Sequence, residues 1–198
     1  MRALLVPVKS FAEAKHRLES ALSPAARADL ARQLAAIVLA AAGDLDKFVA
    51  CDDGQVADWA ITQGAFVLWT PGLGLSGAVN TGVAHLATVG YETVVVAHAD
   101  LPLVTTFEDF AHDGAITLAP DWREDGTNVA AVPAAAGFRF SYGPASFTRH
   151  QAEATRLGLP LVVVRDERLG SDVDFPSDLH LVSHLLRRHV AGVVAESE

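Results

Sequence analysis

Cysteine is nearly absent from this chain of 198 residues, which contains Cys51 alone. A single thiol cannot form an internal disulfide, and no other Cys or His lies near it at the spacing of a metal site. We therefore expect a buried structural thiol in a protein of the reducing cytoplasm. The chain also lacks an apolar run approaching the roughly 20 residues that cross a bilayer, and no signal-peptide core follows Met1. Neither export nor a membrane partner is expected.

Basic residues are scarce as well, because 15 Lys and Arg residues stand against 24 Asp and Glu residues, a formal net charge of -9. A negative net charge of this size repels the nucleic-acid backbone, so no nucleic-acid partner is expected. Small phosphorylated ligands can still bind a chain of this charge if Lys, Arg or bound cations lie at the binding site. With 51% hydrophobic residues, the chain can bury one substantial core, and its length favours a single domain over residues 1–198.

Short apolar runs alternate with helical segments along the chain. The predicted strands cover residues 3–8, 48–51, 65–68, 93–97, 116–119, 129–132 and 161–164. The predicted helices cover residues 24–43, 54–63, 76–89, 146–157 and 176–188. Apolar runs of this kind are typical of strands buried on both faces, and the alternation predicts an α/β fold with a mostly parallel sheet between helices. In such sheets ligands bind beyond the carboxyl ends of the strands.

Acidic residues follow the predicted sheet at two places. Asp100 comes directly after the strand over 93–97, and Asp172 and Asp174 alternate just before a helix that begins with Pro176. Mg²⁺ needs only one or two protein carboxylates, so Asp100 with Asp174, the better candidate of the later pair, could hold this ion. The alternative is that Asp100 caps a turn and that the later acids cap a helix.

A cationic loop follows the first strand and carries Lys9, Lys15 and Arg17. It contains no glycine, so it cannot form the backbone cradle of a phosphate loop or of a dinucleotide-binding turn. Its side chains could instead bind a triphosphate, or they could form an ordinary solvated face.

Three further segments could approach a ligand. Residues 71–80 are rich in glycine and open a helix, residues 125–128 precede a strand, and residues 142–147 lead into another helix. Glycines permit close approach to a base, and helix starts bind anions, but turns and an N-capping Ser146 explain the same patterns. Most of the histidines, including His150 on the helix after Ser146, are expected to be solvent-facing or hydrogen-bonded rather than catalytic.

Together these segments resemble the 2-phospho-L-lactate and phosphoenolpyruvate guanylyltransferases of the biosynthesis of the deazaflavin coenzyme F420. The resemblance covers nearly the whole chain and rests on VPVKSFAEAKHRL, LSPAARADLARQL, GLGLSGAVNTG, HADLPL, DGTN, YGPASFTRH and DVDFPSDL. It implies a Rossmann-like nucleotidyltransferase fold, GTP and Mg²⁺ as requirements, and a small phosphorylated three-carbon acid as acceptor. Two departures are Tyr142, where the family usually has phenylalanine, and DWRED before Gly126, which replaces the common Asp-Arg opening and leaves the contacts of Arg123 open.

The resemblance also implies a role for each candidate residue. Asp100 and Asp174 would bind Mg²⁺ and form the catalytic set with Lys15. Lys9, Lys15 and Arg17 would bind the triphosphate. The remaining sets are Leu75, Ser76, Gly77 and Gly82 for guanine, and Thr127, Gly143 and Ser146 for the acceptor.

Phosphoenolpyruvate is the acceptor favoured by analogy, and the product could be handed to the next enzyme of the pathway. Three alternatives remain open from the sequence: 2-phospho-L-lactate as the acceptor, another nucleotide or acid at the same site, and a nucleotide-binding sensor without catalysis.

Overall fold

The computed structural model describes residues 1–186. Seven strands and five α-helices follow one another in the order β1 (Arg2–Pro7), α1 (Pro24–Ala40), β2 (Asp46–Cys51), α2 (Gly54–Thr62), β3 (Phe66–Trp69), α3 (Gly74–Thr88), β4 (Thr93–Ala97), β5 (Ile116–Pro120), β6 (Thr127–Pro133), α4 (Ser146–Leu157), β7 (Leu161–Val163) and α5 (Glu167–Gly170). Four 3₁₀ segments cover Phe11–Glu13, His16–Leu18, Ala134–Ala136 and Pro176–Val182.

The strands form one sheet in the order β3-β2-β1-β4-β6-β5-β7. Every pairing is parallel except the two that β6 makes with β4 and β5. The connection from β5 to β6 is too short for a helical crossover, so it forms a hairpin and reverses β6. The predicted mostly parallel sheet is confirmed.

The core lies on both faces of the sheet. In β1, Leu4 and Val6 pack on the side of α1 and α2, whereas Ala3 and Leu5 pack on the side of α3 and α4. Strand side chains point alternately to opposite faces, so a run of consecutive apolar residues fits this layered arrangement. Cys51 is free and buried, as predicted.

Local signals explain the start of the first long helix. The Ser23 side chain accepts a hydrogen bond from the amide of Ala26, and Pro24 occupies the first helical position, so the predicted cap is confirmed. No helix over residues 1–186 is both long and apolar enough to cross a membrane.

Several predicted helix bounds differ in the structure. The first helix ends at Ala40 rather than at residue 43. The third begins at Gly74 rather than at residue 76. The predicted helix from Pro176 to Arg188 was wrong in type at its start, where residues Pro176–Val182 form a 3₁₀ helix. The predicted end at Arg188 lies outside the described residues. The short α5 had no sequence signal beyond its capping Asp166.

Candidate active site

Three acidic side chains meet beyond the carboxyl end of β4. Asp100 follows this strand closely, and Asp172 and Asp174 lie between α5 and the last 3₁₀ segment. Each offers a carboxylate oxygen, and these oxygens lie within 4.8 Å of one another. The amide of Val173 donates a 3.3 Å hydrogen bond to the carbonyl of Asp100, which ties the two segments together. The structure thus brings Asp100 and Asp174 to one place and adds Asp172; we call these three residues the acidic trio.

Asp172 is the member that the sequence analysis ranked lower. Burial, together with the nearby Asp100 and Asp174, raises the pKa of its carboxyl to about 6. The side-chain amide of Asn128 lies 3.5 Å from Asp172 Oδ1 and donates a shorter bond of 3.0 Å to the carbonyl of Leu169. The signal for Asp172 was the Asp-Val-Asp alternation, since residues two apart in an extended chain point the same way.

Lys15 supplies positive charge within the acidic trio. Its Nζ donates hydrogen bonds to Asp100 Oδ2 at 2.6 Å and to the carbonyl of Val173 at 2.7 Å, and lies 3.6 Å from Asp174 Oδ1. Burial alone would lower the pKa of Lys15, but attraction to Asp100 and then to Asp174 raises it. Burial would likewise raise the pKa of Asp100, but Lys15 lowers it. Lys15 and Asp100 therefore both carry a charge.

The backbone of Lys15 lies in the left-handed region, with φ of 57° and ψ of 38°. This conformation costs a residue with a Cβ about 1–2 kcal/mol. Such conformations persist where the surroundings fix them, and they concentrate at functional sites. Here the bonds of the Lys15 side chain to Asp100 and Val173 hold it in place.

Two arginines and one acid hold the segment around Asp174. Arg17 Nη1 donates a 2.6 Å bond to Asp174 Oδ2, and its guanidinium lies 5.2 Å from the ring centroid of Phe175. Arg123 reaches the same ring from the β5–β6 hairpin, also at 5.2 Å. Asp178 accepts bonds from the amides of Asp174 and Phe175 at 3.0 and 2.8 Å. Arg123 and Asp178 are therefore positioning residues for this segment.

The acidic trio has the chemistry of a site for a divalent cation. Carboxylate oxygens are preferred ligands of Mg²⁺. Asp100 Oδ1 is buried and has no hydrogen-bond partner among residues 1–186, which leaves an oxygen that a cation would satisfy. In the described part of the chain, the trio is the one cluster of three or more potential metal-ligating side chains.

A cavity of about 180 Å³ opens beside the trio. Its wall includes Lys9, Lys15 and Asp100, and Leu75 lines it from the start of α3. A smaller cavity, of about 50 Å³, shares Lys9 and Leu75 with the first and extends past Thr70. The two cavities form a groove along the carboxyl edge of the sheet, where ligands of such folds bind.

His98 also lines the larger cavity. Burial lowers the pKa of His98 in spite of the nearby carboxylate of Asp100, so its imidazole is neutral. Its Nε2 is buried and has no hydrogen-bond partner within residues 1–186. His98 is thus an exception to the expectation that most histidines are solvent-facing or hydrogen-bonded.

The residues predicted to face guanine do not all lie at the cavities. Leu75 lines both cavities, and the Ser76 hydroxyl accepts a 2.9 Å bond from the amide of Tyr142. Gly77, one residue further along α3, is partly exposed. Gly82 instead packs against the sheet, where an added Cβ would lie 2.9 Å from Leu5 Cδ2. A helix–sheet contact therefore accounts for Gly82 without any contact to a base.

The predicted acceptor residues lie at the amino end of β6 and near the start of α4. Thr127 and Ser146 are buried, and the Thr127 amide donates a 3.1 Å bond to the Ser146 hydroxyl. His150 Nε2 accepts a bond from the amide of Ser141, so its Nδ1 carries the proton and donates to the Thr127 hydroxyl at 2.9 Å. This network confirms His150 as a hydrogen-bonded residue, and burial lowers its pKa to about 4.

Gly143 lies in the exposed loop before α4. The Arg149 guanidinium fixes this loop through hydrogen bonds to the carbonyls of Ser141, Gly143 and Pro144. The structure therefore places Gly143 at the surface, whereas the hydroxyls of Thr127 and Ser146 point into a buried network.

Comparison with known proteins decides the family. The family model described as guanylyl transferase CofC like matches residues 1–186. The chain belongs to this family. A phosphoenolpyruvate guanylyltransferase of Sphaerobacter thermophilus is 36% identical over 88% of this chain and 89% of its own. A 2-phospho-L-lactate guanylyltransferase of Halorubrum lacusprofundi is also 36% identical, over 83% of this chain and 76% of its own.

The fold has counterparts among solved structures. A nucleotidyl transferase of Methanothermobacter thermautotroptrophicus superposes with a TM-score of 0.63, covering 96% of this chain and 99% of its own, at 14% sequence identity. Membership of the CofC-like family confirms the enzyme class that the sequence motifs implied, and the shared architecture confirms the predicted fold.

Proposed function

We propose that this protein transfers the guanylyl group of GTP to phosphoenolpyruvate in the cytoplasm, with Mg²⁺ as the required ion. The products would be enolpyruvyl-diphospho-guanosine and pyrophosphate. The main support is the acidic trio with Lys15, which lies beside a cavity lined by Lys9, Lys15 and Asp100. The name of the Sphaerobacter relative supports phosphoenolpyruvate as the acceptor.

Asp100, Asp172 and Asp174 would hold the magnesium. The bound ion would neutralise phosphate oxygens of both substrates and help to align them. Lys9, on the cavity wall, would bind the triphosphate. Lys15 and Arg17 pair with carboxylates of the trio in the structure, and we expect both to turn towards phosphate oxygens when a cation takes those carboxylates.

In the proposed reaction an oxygen of the acceptor phosphate forms a bond to the α-phosphorus of GTP. The bond from that phosphorus to the bridging oxygen breaks, and pyrophosphate leaves with the electron pair. The attacking phosphate is already an anion, so no general base is needed. The residues of the site therefore act by positioning the substrates and by neutralising charge.

Thr127, Gly143 and Ser146 remain the proposed acceptor site. Gly143 offers backbone in an exposed loop shortly before Ser146, where α4 begins. Because the Thr127 and Ser146 hydroxyls are buried, we expect them to hold this loop in shape as well as to approach the acceptor. The product would then pass to the next enzyme of the pathway.

The deciding experiment incubates the protein with Mg²⁺, GTP, phosphoenolpyruvate and 2-phospho-L-lactate in competition and identifies the products by mass. We expect the enolpyruvyl product. The Halorubrum relative makes phospholactate the second candidate, and a dominant lactyl product would establish it. Binding of GTP without any product would instead favour a nucleotide sensor.

Variants of the trio test the site itself. We expect Asp100→Asn and Asp174→Asn to abolish Mg²⁺-dependent release of pyrophosphate while the fold is retained. Asp58→Asn, an equal change of charge at an exposed position on α2, is the matched control and should keep full activity. Full activity in either trio variant would remove that residue from the metal site.

A further inference from the structure

His98 is a partly buried residue whose hydrogen bonding is incomplete. Its Nε2 is buried and has no partner in the described part of the chain, and the residue lines the larger cavity. The ring also contacts Tyr142, with 5.1 Å between the centroids, which restrains its orientation. An unpaired buried polar atom is unfavourable, and such atoms in a cavity wall are candidates for a ligand contact.

The chemistry of the cavity wall restricts what His98 can bind. Among the described residues that line this cavity, the other side chains with hydrogen-bonding groups are Lys9, Lys15 and Asp100, and all three are of charged types. The lysines suit phosphate oxygens, and Asp100 suits a cation. His98 carries imidazole nitrogens, which can pair with a hydroxyl group because a hydroxyl both donates and accepts.

The position of His98 in the cavity indicates which part of the ligand this residue would contact. The same cavity is lined by Leu75, in the segment proposed to face guanine, and by Asp100, at the proposed site of the phosphates and metal. A nucleotide that reaches from one to the other places its sugar between them. That sugar carries two hydroxyl groups and no charge.

We propose that His98 recognises the ribose of the nucleotide, with its ring nitrogen hydrogen-bonded to the 2′- or 3′-hydroxyl group. His98 is thus a specificity residue that distinguishes ribonucleotides from deoxyribonucleotides. This inference rests on the proposed function, because it takes GTP as the ligand of the cavity.

The test compares the Kd of GTP, 2′-deoxy-GTP and 3′-deoxy-GTP in the presence of Mg²⁺ by calorimetry, without an acceptor. We expect the wild-type protein to bind one deoxy analogue about tenfold more weakly than GTP, the size of one lost hydrogen bond. In His98→Phe, GTP should weaken to the level of that analogue, and the analogue itself should be unaffected. His98→Gln, which keeps a polar group, should restore part of the preference.

His85→Phe is the matched control, because His85 is exposed on α3, and it should keep the wild-type preference. An unchanged ratio between GTP and both deoxy analogues in His98→Phe and His98→Gln would overturn the ribose contact while leaving GTP binding intact. If the protein prefers another nucleotide, the proposed function fails, and the same ribose and deoxyribose pair of that nucleotide tests His98. Absence of binding by every nucleotide overturns both proposals.

Discussion

Asp172→Asn should make the metal-free protein more stable while it impairs the site. The pKa of Asp172 rises from 3.8 to about 6, so the folded state binds this proton more tightly than the unfolded state does. The resulting cost to stability is absent below pH 3.8 and complete above about pH 6. The full shift corresponds to about 3 kcal/mol, and partial exposure of the side chain reduces our expectation to about 1–2 kcal/mol.

Asparagine removes the charge but keeps the size of the side chain, and Asn128 still donates its bond to Leu169. For a chain of this length, we expect the melting temperature of the variant in EDTA to rise by about 2–8 °C at neutral pH. Saturating Mg²⁺ should stabilise the wild-type protein by linkage and the variant much less. The assay is thermal unfolding followed by circular dichroism, with and without Mg²⁺, beside guanylyl transfer under the same conditions.

Asp58→Asn is again the control, since an exposed substitution should change stability by no more than about 0.5 kcal/mol. The reasoning is refuted if Asp172→Asn destabilises the metal-free protein, because crowding of like charges then does not dominate at this position. An equal gain from Mg²⁺ in the wild-type protein and the variant would show that Asp172 is not a ligand.

Three further predictions concern other parts of the structure. Lys15→Met removes the cation that pairs with the partly buried carboxylates of Asp100 and Asp174, and it should lower the free energy of unfolding in EDTA by about 2 kcal/mol, measured by urea titration. Because the pKa of His150 falls from 6.5 to about 4, the wild-type protein should lose up to about 3 kcal/mol of stability between these pH values relative to His150→Gln. The loss occurs as the pH falls, because the unfolded state takes up the proton first. Urea titrations of both proteins across that range test it, and an equal change of the free energy of unfolding with pH in the two proteins would disprove it. Gly82→Val should destabilise the protein by about 2 kcal/mol through overpacking against Leu5 while the Kd of GTP stays unchanged; weaker binding in a folded variant would return Gly82 to the base site.

Much of the site was predictable because parallel strands end at a common edge. Asp100 follows a strongly apolar strand, and Lys15 follows the first one, so local patterns were enough to expect them on the same side of the sheet. Asp174 could be added because its segment precedes a proline-initiated 3₁₀ helix near the end of the chain. These inferences required the direction of each strand but no detail of side-chain packing.

The remaining contacts could not be predicted for two reasons. Asp178 accepts bonds from the amides of Asp174 and Phe175 in the manner of ordinary helix capping, which does not mark a functional site. The approach of Arg123 to Phe175 joins residues far apart in the chain that share no sequence pattern. His98 was missed for a related reason. A histidine at a strand end has no periodic signal, and only the packed structure shows that His98 lines a cavity and that its Nε2 has no partner within residues 1–186.

The reversal of β6 brings the beginning of a strand, rather than an end, to the edge where the other six strands finish. As a result, Thr127 and Asn128 arrive there from the hairpin at residues 121–126, and the proposed acceptor residues all come from the second half of the sequence. The proposed contacts to the nucleoside come from the first half. A change of acceptor could therefore evolve through the hairpin and the loop before α4 while the recognition of the donor is preserved.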